Sequence, residues 1–293
     1  MNPQSEYNIE NIPKNHVFRE FWRRFCRNRL ALAGLVVLLV IIAAAVFAPV
    51  LAPFGFDEQS LMDARQSPSA AHWFGTDNLG RDIYSRILYG ARTSLVVGLI
   101  SVGVGLAVGG SLGMAAAYFG KAVDNVIMRV IDMLMAIPSV ILSIGICAAL
   151  GPGIVNTMIA VGIGTVPTYA RVMRAAVLQV KKNEYIESAR SLGMSHLRII
   201  FTHILPNSLS PVIVQASVGI ASAITTAASL SFIGLGVQPP TPEWGAMISA
   251  GRGFIRDYPY MVLFPGLAIM LTVLSLNLLG DGLRDALDPR MKR

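Results

Sequence analysis

From Met133 to Ala170 the chain runs 38 residues without a single Asp, Glu, Lys or Arg. No soluble fold hides such a stretch easily. An α-helix rises 1.5 Å per residue, so about 20 apolar residues cross the hydrocarbon core of a bilayer, and this stretch is long enough for two crossings. Gly151-Pro152-Gly153 interrupts it near the middle, which predicts a helical hairpin. Four further charge-free stretches complete the pattern: Leu30 to about Leu51, Ser94 to Phe119, a segment within Leu209–Leu235, and one within Tyr260–Gly280. The expectation is an all-α polytopic membrane protein with six transmembrane helices. Composition agrees, since 54% of the 293 residues are hydrophobic and 14% are charged, against roughly 25% charged in a soluble domain. Disorder is excluded on the same grounds. Cys26 and Cys147 are far apart and form neither a metal-ligand nor a disulfide framework.

The net charge of +7 invites a nucleic-acid reading until its placement is considered. With the N-terminus in the cytoplasm, segments 1–29, 120–132, 171–208 and 281–293 lie inside and hold 18 of the 24 basic residues. Counting acids as well, the inside carries +8 and the outside −1. The surplus is thus an orientation signal, and no nucleic-acid footprint is needed. The 29-residue basic flank and the apolar run of more than 20 residues that follows fit an uncleaved anchor better than a signal peptide. Within that flank Val17, Phe18, Phe21, Trp22 and Phe25 recur at helical spacing, with Arg19, Arg23, Arg24 and Arg27 between them. This pattern reads either as a helix lying on the inner leaflet or as simple topogenic charge.

The spans lack titratable groups near their centres, which disfavours an ion-coupled carrier because an ion relay needs such side chains. No nucleotide-binding loop, nucleophilic triad or metal-binding His pair is present, and Asp77-Asn78 with Asp82 supplies too few oxygens for a calcium loop. Uphill transport by this chain would draw its energy from another subunit. In the second span Ser101, Gly105, Gly109 and Gly113 recur every four residues, a small-residue face that lets a neighbouring helix approach closely.

Segment 171–208 is the most informative. Asn183 is placed to cap a helix whose first turn holds Glu184 and Glu187, Gly193 to end it in a left-handed conformation, Ser195 to cap a second short helix, and Pro206 to mark that helix's end. Two short helices with a sharp corner would form a rigid knob suited to a partner's cleft. Here the residues resemble a known family. Glu187-Ser188-Ala189, three residues, Gly193, nine residues, then His203-Ile204-Leu205-Pro206 is similar to the EAA loop of binding-protein-dependent ABC importer permeases. That pattern is Glu-Ala-Ala, three residues, Gly, nine residues, Ile-any-Leu-Pro, so Ser188 and His203 depart from it. Further stretches resemble the second permease subunit of dipeptide, oligopeptide and nickel importers: His72 to Asp82 with Gly90 to Leu95, Leu230 to Pro242 with Trp244-Gly245, and Gly280 to Arg290.

The resemblance covers roughly 72–292 and implies a type-1 ABC importer permease fold, with the first helix outside a five-helix core. The expected organisation is a cytoplasmic segment 1–29, the first helix and external loop 30–92, the permease core 93–281, and a cytoplasmic tail 282–293. It implies a non-enzymatic subunit that docks an ATPase through Glu187, Ser188, Ala189, Gly193, Leu205 and Pro206. The implied partners are a second similar permease, two cytoplasmic ATPase subunits that bind ATP and Mg, and an external substrate-binding protein. The chain itself would bind no cofactor and would sit in a bacterial inner membrane with both termini cytoplasmic. The expected cargo is short peptide, with glutathione or a nickel chelate as alternatives; a secondary carrier working without an ATPase is the rival class. Asp77, Arg81 and Asp82 are candidates for contacting the binding protein or for stabilising a turn, with Arg81 pairing to Asp77 or Asp82. Asn156, Thr157, Thr225, Thr226 and Asn277 are candidates for lining a polar path or for interhelical hydrogen bonding. The Pro- and Gly-rich residues 236–245 suit an interfacial re-entrant turn, and Arg129 with Asp132 an ion pair at the inner interface.

Overall fold

The structure is a computed structural model that describes residues 22–287. Val17, Phe18, Arg19 and Phe21 of the basic flank, and Asp288-Pro289-Arg290 of the tail, lie outside the described residues. Ten helices of interest follow in order: α1 Arg29–Val46, α2 Ile83–Phe119, α3 Lys121–Met135, α4 Ser139–Leu150, α5 Ile154–Lys181, α6 Glu184–Ser191, α7 His196–Ile199, α8 Leu205–Phe232, α9 Trp244–Gly251 and α10 Tyr260–Leu287. A one-turn helix, Ala48–Leu51, extends α1, and a π-turn, Ile200–Ile204, joins α7 to α8.

The helices α1, α2, α10 and the continuous run His196–Phe232 are each long and apolar enough to span a bilayer. The pair α3 and α4 qualifies when counted as one span, but it is bent by 87°. The first half of the expected hairpin, which begins at Met133, is thus itself broken between Met135 and Ser139. Pro138 disfavours helical backbone at the residue before it, so α3 stops and α4 begins afresh behind it; the 12 residues of α4 reach only about 18 Å. The remaining long helix, α5, has 28 residues and suffices in length (about 42 Å) but is not among the helices apolar enough to count as a span; Thr157, Gly162 and Gly164 are buried, whereas Thr168 is exposed. Between α4 and α5 the predicted break is present, with Gly151 at φ +87° and Gly153 at φ +144°.

The α2–α5 contact is the most extensive in the bundle, and the small-residue face explains it. A Cβ on Gly105 would overlap the Thr165 hydroxyl, one on Gly109 the Val166 carbonyl, and one on Gly113 the Ala170 carbonyl. The two backbones therefore touch where side chains would normally separate them, which is how membrane helices gain dispersion contacts. Around this seam Val97, Val102, Val161, Tyr169, Ala223 and Leu230 form a central buried cluster from α2, α5 and α8.

Among the described residues, the helix ends and connections gather at two ends of the bundle. At one end Asn28 donates to Asp285 across the start of α1 and the end of α10 (3.1 Å), and Phe25 packs on Ala31 and Ala286. Phe25 is 2% exposed, so this member of the expected interfacial stripe faces protein. The end of α2 meets α7 there as well. At the opposite end Ile83, Ala91, Trp244, Met247, Tyr260 and Met261 pack together, and Gly153 donates to the Gly236 carbonyl (3.0 Å).

Candidate functional site

The corner formed by α6, α7 and the π-turn projects from the end that also holds Asn28 and Asp285. Its shape follows from local chemistry. Glu184 and Glu187 occupy the first turn of α6, where carboxylates offset the positive end of the helix dipole. The helix ends in a Schellman motif: Gly193 sits at φ +73°, its N–H donates to the Arg190 carbonyl (2.9 Å), and the Met194 N–H donates to the Ala189 carbonyl (3.2 Å). Asn183 and Ser195 occupy the N-cap positions expected of them, but neither side chain makes a capping bond. Asn183 instead lies 3.4 Å from the Tyr185 hydroxyl.

Pro206 does not end the second short helix, contrary to expectation. The chain stays helical from His196 into α8 because the π-turn widens the backbone ahead of the proline ring, which would otherwise meet the carbonyl one turn earlier. Two side chains serve carbonyls at this junction: Asn207 donates to His203 O (2.6 Å) and Ser208 to Ile204 O (2.9 Å).

The corner is two-faced. Ile186, Ala189, Ile199, Ile200 and Ile204 are buried against Met114, Tyr118, Met173 and Val177 of α2 and α5. Each fully buried Ile contributes on the order of 2 kcal/mol, so the knob is fixed to the bundle. The outer face carries Glu187 and Ser188 together with large apolar side chains left bare: Leu192 is 83%, Leu197 68% and Phe201 64% exposed. Gly193 and Pro206 are exposed and Leu205 is half-buried. Of the six residues expected to dock an ATPase, Ala189 is buried and Leu205 packs against the same inner cluster, while the other four are exposed. Exposed apolar side chains clustered on a fixed corner are the kind of patch that marks an interaction surface.

Ion pairs brace the neighbouring elements. Arg174 of α5 grips Asp124 of α3 through two hydrogen bonds (2.6 and 2.7 Å), and Arg171 bonds Asp132 (2.6 Å). The expected Arg129–Asp132 pair is therefore corrected: α3 folds alongside α5, and Asp132 finds its cation there. Lys181, at the end of α5, donates to the Ala117 and Tyr118 carbonyls (3.0 and 2.7 Å), satisfying the orphan acceptors of α2. Burial, reinforced by Arg190, holds its ammonium below the usual lysine range.

Beside the corner a groove of ≈ 1070 Å³ opens between α5, α8 and the end of α10. Its polar lining comes from Gln179, Asn183, Asn207, Gln215, Asp281 and Arg284. None of the five expected path residues lines it. Thr157 is fully buried and bonds Gly153 O (2.7 Å); Asn156 caps α4 through the Leu150 and Gly151 carbonyls. Thr225 and Thr226 bond carbonyls one turn back in α8, and Asn277 is half-buried on α10. Gln179, outside the apolar stretches, and Gln215, inside one, carry no signal in the sequence because only the packing of α5 against α8 brings them to one groove.

At the opposite end Asp77, Arg81 and Asp82 are 7%, 5% and 2% exposed. Asp77 pairs with Arg81 (2.6 Å), while Asp82 caps α2 through the Ser85 N–H (2.7 Å) and faces His72 (3.0 Å). Their buried side chains hold the turn, the alternative that this geometry supports. Residues 236–245 run into α9 and not merely a turn. Buried Glu243 accepts from the Gly245 and Ala246 N–H groups (3.0 and 2.9 Å), and Trp244 donates to Ile87 O (3.1 Å). Glu243 had no sequence signal beyond its place just before a helix.

The helical bundle has the fold of type-1 ABC importer permeases, and comparison with known proteins shows the family. The family profile described as binding-protein-dependent transport system inner membrane component matches residues 109–293, and that of the N-terminal TM domain of oligopeptide transport permease C matches 17–68. The chain belongs to this family of inner membrane components, and it is a permease subunit of an ATP-driven importer. Similar proteins include the dipeptide transport system permease protein DppC of Alkalihalophilus pseudofirmus, 49% identical over 94% of this chain and 90% of that protein. The glutathione transport system permease protein GsiD of Pectobacterium atrosepticum is also 49% identical, over 94% and 92%. The di/tripeptide permease DppC of Pseudomonas aeruginosa is 46% identical over the same shares. Among solved structures, an inward-facing MetNI methionine ABC transporter superposes with TM-score 0.58 at 17% identity, covering 69% of this chain and 96% of that one. At that identity the likeness concerns the fold.

Proposed function

We propose that this chain forms half of a translocation path for short peptides, including glutathione, and pairs with a second, similar permease. The end bearing the corner faces the cytoplasm of a bacterial cell with an inner membrane, as do both termini, in keeping with the basic surplus there. An ATPase subunit seats on the corner of each permease and binds the ATP and Mg; this chain hydrolyses nothing. ATP binding closes the ATPase pair, draws the two corners together, and turns the bundle from inward- to outward-facing as rigid bodies. An external binding protein then delivers its peptide, and hydrolysis resets the cycle. The polar groove beside the corner is the inner mouth of the path.

The observation that carries this reading is the two-faced corner: buried isoleucines fix it to α2 and α5, while Leu192, Leu197 and Phe201 stand bare. The peptide cargo is supported by the similar permeases, whose names assign them dipeptides, di/tripeptides or glutathione. Reconstitution in liposomes tests it. With both permeases, the ATPases and the binding protein, peptide should enter only when ATP is supplied to the ATPase side. Without the ATPases no peptide exchange should occur, whereas a secondary carrier would exchange it freely.

A further inference from the structure

The corner is covalently continuous with α5 and α8 but not with α2; α2 runs unbroken between the two ends of the molecule, as α5, the His196–Phe232 run and α10 also do, and it carries the 52–82 loop at its start. Its 37 residues extend about 55 Å. At its start the 52–82 loop is tied to its first turns: Asp82 caps the Ser85 N–H, the Ser85 hydroxyl accepts from Phe54 N (3.3 Å), and Arg86 donates to Phe56 O (2.6 Å). At its far end Tyr118 is 3% exposed and meets three separate elements. Its hydroxyl hydrogen-bonds His196 Nδ1 of α7 (2.8 Å). The Arg190 guanidinium of α6 lies over its ring at 5.4 Å, and the Lys181 ammonium of α5 at 5.9 Å. The other contacts between the corner and α2 are the Arg190–Tyr118 cation–π contact, His196 against the Phe119 ring, and apolar packing; the Tyr118–His196 hydrogen bond is the directional one among them.

We propose that Tyr118 is the positioning residue that hands movement of the corner to α2, and through the unbroken helix to the 52–82 loop at the opposite end. Events at the loop, where the binding protein approaches, and at the corner, where the ATPase docks, are thereby linked along one rod. A continuous helix suits this role because its hydrogen-bond ladder resists bending at every turn. The inference rests on the reading that an ATPase seats on the corner.

The test uses the complete importer in lipid nanodiscs. The binding protein is presented with dialanine, trialanine or glutathione, and the readout is the ratio of stimulated to unstimulated ATP hydrolysis. Tyr118→Phe keeps the ring and its apolar packing and removes only the hydroxyl. One hydrogen bond lost predicts a roughly 3- to 10-fold lower ratio. His196→Ala should lower it similarly, His196→Asn, which retains an acceptor, less so, and the Tyr118→Phe/His196→Ala double variant no further than the worse single one. A ratio equal to wild type in Tyr118→Phe, or additive losses in the double variant, overturns the assignment of Tyr118 alone. Failure of all three peptides to stimulate the wild-type importer instead overturns the peptide reading beneath it.

Discussion

Replacing Gly193 with Val is expected to abolish ATP-driven uptake while leaving the protein inserted in the membrane. The cause is conformational, because a Cβ at Gly193 would meet nothing within 4 Å. The backbone sits at φ +73°, where a side chain costs roughly 1–2 kcal/mol and a β-branched one more. Escape to negative φ would break the two bonds that close α6, each worth about 1 kcal/mol. The first route destabilises the native corner, and the second swings Leu197 and Phe201 away from Leu192 and destroys the rigid outer face. A loss of about 3 kcal/mol corresponds to a fall in correctly shaped corner on the order of 100-fold. A graded series distinguishes this from a steric effect: Asn, which tolerates the left-handed region, should retain the most uptake, Ala less and Val least. Uptake that ranks by side-chain volume, or survives in the Val variant, would contradict the account.

The second large effect concerns the seam between α2 and α5. At Gly113 a Cβ would overlap the Ala170 carbonyl oxygen and lie 2.9 Å from its carbon. The obstacle is helix backbone, so no flexible side-chain tip can yield, and the two helices have to part. Overpacking of this kind costs about 1–3 kcal/mol or more, and here it also strips dispersion contacts from the longest interface in the bundle. Gly113→Val should therefore lower the melting temperature of the detergent-solubilised importer sharply or prevent its assembly. Gly103 of the same helix provides the control, since a Cβ there meets nothing within 4 Å. Gly103→Ala should leave the melting temperature unchanged or raise it slightly through helix propensity. Equal melting of the two variants would rule out the close-approach explanation.

Much of this organisation is legible in the residues because membrane solvent imposes simple rules. Charge-free stretches locate the spans, Ser101 to Gly113 announce the tight seam, and Gly193 marks the corner because only a residue without Cβ is at ease there. What is not legible depends on contacts between distant segments. Pro138 gives a helix break in any context, but the 87° turn needs α3 to find Arg171 and Arg174 on α5. Pro206 carries the same local signal and yet ends nothing, because a π-turn and the side chains of Asn207 and Ser208 absorb it. Charge alone could not show that Asp77, Arg81 and Asp82 are buried, nor that Tyr118 gathers His196, Arg190 and Lys181 around one ring. The groove was hidden for a different reason: Gln179 and Gln215 stand on separate helices and converge only when α5 and α8 pack.

The central claim is that the bare face of the corner is seated in an ATPase subunit. Site-directed cross-linking measures this directly. In an importer whose half-buried native thiol is removed by Cys26→Ser, with Cys147 already buried, Leu192→Cys carries the only reactive thiol on this chain. A short heterobifunctional thiol–amine reagent should join that position to an ATPase subunit, with a yield that changes when ATP is trapped by vanadate. Labelling that reaches only lipid or the partner permease, with no ATPase adduct in either state, would contradict the account.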